Sequence, residues 1–193
     1  RIKEDRSAEK AKQNQAKNHF DNVAEIMTDL DDVLPMNQTR NNMTQEEEAD
    51  RIEKILDETA GSTGETEASR EARKQAINNN MYSILTVAYP ASVLFETETL
   101  LGDKMVIKLN TNHPYYQKVI EPLCGEVLKA DSADDSVDKT KARDAIMLLI
   151  LSYVKARAAM KDTENNRLLF DNLESQWGAI LSAVSSKLDA AEM

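Results

Sequence analysis

Near its carboxyl end the chain repeats apolar residues at steps of three or four positions, a spacing that gathers them on one side of a helix. The steps across residues 169–188 are four, four, three, four and four. The residues in this series are Leu169, Leu173, Trp177, Ile180, Val184 and Leu188. The pattern predicts a long amphipathic helix, capped by Thr163, whose apolar side packs either on a neighbouring helix or on a partner.

The segment before it, Ala145–Val154, is apolar nearly all the way round a helical projection. We therefore predict a central, buried helix over about residues 139–160. Only 5 glycines and 4 prolines occur in the 193 residues. This scarcity argues against an all-β fold, which needs many turns, and against a glycine-rich phosphate-binding loop.

The amino-terminal part contains a shorter series of the same kind. Its apolar positions are Phe20, Val23, Met27, Leu30 and Leu34. Pro35 should end that helix, and Thr44 with Glu47 forms a capping-box signature for the next one. Gly61–Gly64 is the best candidate for a linker. We expect residues 1–62 to form a helical arm or hairpin, followed by an α+β core with a carboxyl-terminal helical bundle over residues 63–193.

The middle of the chain is rich in residues that favour strands. The strand candidates are Met81–Ala88, Val93–Thr97 and Met105–Leu109. Gly102 and Asp103 supply turn chemistry between the last two. These features predict a small antiparallel hairpin or meander over about residues 81–110. The expected fold class is therefore α+β, mainly α. A helix should follow, with Asn112 as its cap, Pro114 in its first turn and a kink at Pro122.

The net charge narrows the classes of ligand, and the cysteine content indicates the compartment. The formal net charge is −10, which disfavours nucleic acid and anionic lipid as ligands. Cys124 is the only cysteine, so an internal disulfide is impossible and a reducing, cytoplasmic compartment is expected. No apolar run is long enough to span a membrane, and no signal-peptide pattern is present. Since the first residue is Arg1, we expect a piece of a longer protein.

Reactive side chains do not form a recognisable set. His19 and His113 are the only histidines, and the default reading of Cys124 is a buried thiol. Glu96 and Glu98 alternate on a predicted strand, so we expect them on its solvent face. The acidic stretch at residues 131–138 reads as a solvated loop, because it lacks the glycine and terminal glutamate of a calcium-binding loop. We predict no catalytic centre, no cofactor and no metal site.

One stretch resembles a known superfamily. Leu94-Phe95 leads through Gly102-Asp103 into the strand Val106–Asn110, followed by Thr-Asn-His-Pro-Tyr-Tyr at residues 111–116. This order is similar to the region after the nucleotide-binding domain in some bacterial and phage GHKL ATPases, the superfamily of histidine kinases, gyrase B and heat-shock chaperones. The likeness covers about residues 81–185. It implies a strand, a corner that leads into a helix, a leucine- and alanine-rich helix over Ala145–Ala159, and a further helix that carries Trp177.

The resemblance implies a part downstream of an ATPase domain, because the superfamily's nucleotide-binding motifs do not occur here. We therefore expect a non-catalytic carboxyl-terminal module that serves self-association, as a homo-oligomer, or partner docking. The alternative is a stand-alone structural or assembly protein, possibly viral, with a helical oligomerisation arm. In both cases the expected contact residues lie on the two apolar stripes. They are Phe20, Val23, Met27, Leu30, Leu34 and Trp177. A competing interpretation is that both stripes only close the chain's own core.

Overall fold

The computed structural model describes residues 20–29, 43–59, 66–90, 92–124, 133–160 and 163–188. Over these residues the protein is mainly helical and belongs to the α+β class, as the sequence predicted, and its small three-stranded sheet is mixed. The helices are α1 (Asp21–Asp29), α2 (Gln45–Thr59), α3 (Glu67–Asn79), α4 (Glu121–Cys124), α5 (Ala133–Ala158) and α6 (Glu164–Leu188). The strands are β1 (Tyr82–Val87), β2 (Phe95–Thr99) and β3 (Met105–Asn110).

The sheet has the order β1-β3-β2, so the last strand lies in the middle. β2 and β3 form the antiparallel hairpin expected from the Gly102-Asp103 turn. β1 pairs with β3 in parallel, which corrects the expectation of a wholly antiparallel sheet. The composition of β3 explains its central place. Every residue from Met105 to Asn110 is buried, so the side chains on both faces of this strand are covered. A strand that is buried in this way lies in the middle of a sheet, with a neighbouring strand on each edge.

Two apolar clusters cover the two faces of this sheet. The larger one joins Met105, Ile107 and Leu109 to α1, α5 and Tyr116. The smaller one joins Val106 and Leu85 to α2 and α3. The described helices before residue 62 therefore pack against the sheet: α1 contacts β1 and α5, and α2 contacts α3 and β1.

Helix starts follow the sequence signals closely. Thr44 and Glu47 form the predicted capping box, with the Thr44 amide donating to the Glu47 carboxylate at 2.7 Å and the Glu47 amide donating to Thr44 Oγ1 at 3.2 Å. Thr163 Oγ1 accepts from the Asn166 amide at the start of α6. At the strand-to-helix corner, the side chain that accepts from the Tyr115 amide belongs to His113, whereas Asn112 was the predicted cap.

The helix after this corner contains a π-helical turn, Tyr116–Ile120, and then continues as α4. The turn lies immediately before Pro122, where the sequence predicted a kink, and π-turns are one of the few causes of sharp bends in helices. The predicted continuation of this helix beyond residue 124 lies outside the described residues.

The central helix α5 begins at Ala133, inside the acidic stretch expected to be a loop. Its middle is only partly buried. Met147, Leu151 and Val154 are fully enclosed by the core, but 70% of Leu149 is exposed. The prediction of a helix buried all round is therefore wrong on one side. Apolar composition alone did not show that a side of α5 remains uncovered.

Candidate protein-interaction surface

The buried residues of helix α6 are small or polar, and the half-buried Leu181 packs against the core beside them. Glu174, Gly178 and Ser185 are buried, and they lie at helical spacing on one side. At Gly178 the packing is very close: a Cβ atom added there would lie 2.2 Å from the Ser92 carbonyl oxygen. Only glycine fits at this position, so Gly178 fixes which side of α6 faces inward.

Two side chains from the corner region bind the backbone of α6. His113 is buried, and its Nε2 lies 3.0 Å from the Gly178 carbonyl oxygen. Its Nδ1 accepts from the Tyr115 amide at 3.1 Å, so Nε2 must carry the proton and donate. Further along, Lys118 Nζ donates to the Ser185 carbonyl oxygen at 3.2 Å. These bonds hold α6 at two points about two turns apart.

The first half of α6 is held by α5. Arg157 donates to Glu174 Oε1 at 2.6 Å and to Asp171 Oδ1 at 3.0 Å. The Tyr153 hydroxyl donates to the same Glu174 oxygen at 3.1 Å. Burial, together with the Glu174 charge, raises the pKa of Tyr153 to about 12, so the hydroxyl remains a donor at neutral pH. The buried carboxylate of Glu174 is thus satisfied by a cation and a phenol.

With that side turned inward, the apolar series of α6 faces outward. We call its five described members the outer stripe: Leu169, Leu173, Trp177, Ile180 and Val184. Each is exposed by 37% to 62%. Trp177 is the least exposed, because its ring also packs against two other rings. It meets Phe95 edge to face, with ring centroids 6.0 Å apart, and lies tilted against Tyr153 at 6.4 Å. The outer stripe is therefore a row of large apolar side chains that the described residues leave in contact with solvent.

The outer stripe is also uncharged. Between Asn172 and Ser186 the only ionisable side chain is Glu174, which is buried against Arg157. In a chain of which 30% is charged, a run of fifteen residues with a single ionisable side chain is unusual. The exposed residues beside the stripe are small or amidic: Ser175, Gln176, Ala179 and Ala183. A partner that covers this face would therefore not have to desolvate an unpaired charge.

The contact residues expected from the sequence separate into three groups. Phe20, Val23 and Met27 are at most 3% exposed and belong to the core between α1, the sheet and α5. These three residues therefore pack inside the chain's own core and are not exposed to a partner. Leu30 and Leu34 lie outside the described residues. Trp177 is partly exposed and belongs to the outer stripe.

Sequence reasoning named Trp177 but not its four neighbours in the stripe as contact residues. A usable signal was present on a neighbouring side of α6. Glu174, Gly178 and Ser185 lie about four or seven residues apart, a small and polar row that suits close packing of a helix on backbone. When one helix has two candidate packing faces, the chain's own core can occupy one of them and leave the other for a partner.

The remaining reactive groups serve packing. Cys124 is half-buried, and burial raises the pKa of its thiol, which disfavours the reactive thiolate. A cleft of about 40 Å³ near Ser83 and Ile84 has room for a water molecule or two and no more. Among the described residues no group of three or more histidine, cysteine or acidic side chains is placed to hold a metal ion.

The charged cluster on the α2 face of the sheet was not expected. Lys108 Nζ donates to Glu98 at 2.7 Å and to Glu58 at 3.0 Å, and Glu96 lies 3.4 Å away. Glu98 also accepts from Arg51. The prediction that Glu98 lies on a solvent face is wrong, because α2 covers that face and leaves only 13% of its side chain exposed. The opposite charges make this a satisfied structural network.

No described helix is both long enough and apolar enough to cross a membrane. No family model matches the chain, and comparisons with curated proteins and with solved structures found no match.

Proposed function

We propose that this chain is a protein-binding module that docks onto another protein through the outer stripe of α6. The observation that supports this most directly is the orientation of the helix. Its polar and small side is already occupied by the core, and its five large apolar side chains face solvent at 37% to 62% exposure. A helix that only closed the chain's own core would be expected to face the other way.

The size of the stripe also supports the proposal. At these exposures the five side chains present on the order of 500 Å² of largely apolar surface, near the upper end of the largest patch on an ordinary monomer. Covering it would stabilise a complex through the hydrophobic effect. Trp177 at its centre, backed by Phe95 and Tyr153, is the kind of rigid aromatic anchor that dominates binding energy at interfaces.

We propose no catalytic role for the chain. The candidates for chemistry are His113, which binds the backbone of α6, and Lys108, which is surrounded by three carboxylates. Both contacts stabilise the fold. Screening the purified chain for turnover, ATP hydrolysis included, tests this point, and measurable turnover would contradict it.

We further propose that the module works in the cytoplasm as the carboxyl-terminal part of a GHKL-type ATPase. The support is the sequence resemblance over residues 81–185 alone. A stand-alone, possibly viral, assembly protein with the same docking face is the alternative. The coding sequence upstream of Arg1 decides between them: an ATPase domain there supports the first, and a start codon at that point supports the second.

Site-specific photo-crosslinking in the producing cell tests the docking role. A benzophenone amino acid at Ile180 should give covalent adducts with protein, because this side chain lies in the middle of the outer stripe. The matched control carries the same amino acid at Ser175, which is exposed on α6 but lies off the stripe. Equal adduct yields at the two positions would contradict the proposal, whichever proteins are captured.

A further inference from the structure

We infer that the partner of the outer stripe is a second copy of this chain, with the two α6 helices packed antiparallel across a two-fold axis near residues 178–179. This inference rests on the proposed docking role of the stripe. It specifies the occupant, the direction of the two helices and the residues that meet.

The spacing of the apolar residues supports an antiparallel pair. The steps of four, four, three, four and four read the same in both directions. When one helix is reversed against its copy, every apolar position therefore faces an apolar position. Leu173 meets Val184 of the second copy, Trp177 meets Ile180, and position 169 meets position 188. The inner four positions follow the alternating three- and four-residue steps of a coiled-coil seam.

The sizes of the side chains favour this direction over a parallel one. In a parallel pair each residue would meet its own copy, so two indoles of Trp177 would share one layer and two Val184 side chains another. In the antiparallel pair a large side chain meets a smaller one in each of these layers, Trp177 against Ile180 and Leu173 against Val184. Facing a large side chain with a smaller one makes the two layers more nearly equal in volume than a parallel pair would, and it lets the layers interdigitate without voids or strain. Antiparallel helix dipoles add a small favourable term.

Charge and area are also consistent with a second copy. Two chains that each carry a net charge of −10 repel one another over most of their surfaces. Their outer stripes can meet without that repulsion, because the only ionisable side chain between Asn172 and Ser186 is the buried Glu174. Joining two stripes would bury on the order of 1,000 Å² in total, about the lower limit for a specific interface. We therefore expect a reversible dimer.

Disulfide trapping tests both the occupant and the direction. In a Cys124→Ala background, one preparation carries Leu173→Cys and a second, with a different affinity tag, carries Val184→Cys. Mixed under mild oxidation, they should form a disulfide that joins the two tags. Each variant alone should not, because two copies of position 173, or of position 184, would lie about 16 Å apart along an antiparallel pair. A disulfide requires Cα atoms within about 7 Å.

Efficient trapping within each single variant, at the expense of the mixed product, would show a parallel pair and overturn the inference. No trapping in any combination, together with a monomeric mass in light scattering of the wild-type chain at high concentration, would overturn it as well. In the latter case, adducts of the Ile180 photo-crosslinker with a different protein would leave the docking role intact. The two failures are therefore distinguishable.

A charge on the stripe supplies an independent readout. Ile180→Glu would place a carboxylate against Trp177 of the second copy, and it should raise the dissociation constant of the dimer by about 100-fold or more. Ser175→Glu adds the same charge to the same helix off the stripe and should change the constant by less than about threefold. Circular dichroism should show unchanged helix content in both, since both positions are exposed. Equal effects of the two variants would contradict the inference.

Discussion

Helices α1 and α6 carry the same kind of apolar series, and the structure uses the two series in opposite ways. On α1 the apolar side faces inward, and Phe20, Val23 and Met27 are at most 3% exposed. On α6 the apolar side faces outward, and the small and polar side packs on the core. Periodicity therefore predicts a helix with one apolar side, but it does not predict whether the same chain covers that side.

The comparison is tested most strongly by truncating one residue from each helix. Met27→Ala should lower the free energy of unfolding by about 2–5 kcal/mol, because it leaves a cavity in the core. Leu173→Ala removes a half-exposed side chain and should cost less than about 1 kcal/mol in dilute protein. Urea denaturation of both variants provides the measurement. Equal losses would show that α6 closes the core as α1 does.

A second test concerns Gly178, the residue that fixes which side of α6 faces the core. Gly178→Ala should lower the free energy of unfolding by about 1–3 kcal/mol, since the added methyl group must displace the backbone at Ser92. Ser175→Ala is the matched control, because it adds helix propensity at an exposed position and should be neutral or slightly stabilising. Thermal unfolding of the two variants compares them. A neutral Gly178→Ala would mean that the close contact does not fix the orientation.

The charged cluster around Glu98, under α2, and the uncharged outer stripe of α6 should also differ in their response to pH and salt. Burial tends to raise the pKa of Glu98, but hydrogen bonds from Lys108 and Arg51 outweigh it and hold this pKa below its usual value. Glu98 therefore contributes stability above its unfolded-state pKa, near 4.3, and this contribution is lost as the pH falls through the lower folded-state value.

Urea titrations at pH 7 and pH 3 should accordingly show a smaller acid-induced loss of stability in Glu98→Gln than in the wild-type chain. Self-association through the uncharged stripe should vary little with salt, because no charges meet there. An identical acid response in Glu98→Gln, or a steep salt dependence of association, would contradict this difference between the two faces.

The smallest expected effect is at the start of α6. Thr163→Ala should cost about 1 kcal/mol of stability, because the Asn166 amide loses its acceptor. Thr163→Ser keeps the hydroxyl and should recover most of this loss in the same unfolding measurement. If serine does not restore stability, the side chain does not act as a cap.

Local signals predicted local structure well here. Thr44, Thr163 and the Gly102-Asp103 turn were each identified from the sequence, because the interactions that define caps and turns lie within a few residues. Long-range features were predicted less well. The parallel pairing of β1 depends on which strand is buried on both faces, and the sequence did not show that Val106 and Lys108 are buried in β3.

The outward orientation of the apolar side of α6 was also not predictable from the pattern of α6 itself, because it depends on long-range contacts. It depends on the approach of Ser92 and His113 to Gly178, residues far away along the chain. The sequence suggested contact residues on both stripes, and the structure leaves only the stripe of α6 available over the residues it describes.

Thiol alkylation at Ile180→Cys in the Cys124→Ala background tests the central claim most directly, with Val23→Cys as the buried reference. If the outer stripe is exposed in the monomer and covered on association, the cysteine at position 180 should react fast in dilute protein and slowly in concentrated protein, while the one at position 23 should react slowly in both. Slow alkylation at position 180 in dilute monomeric protein would contradict the account, because it would mean that the chain itself covers the stripe.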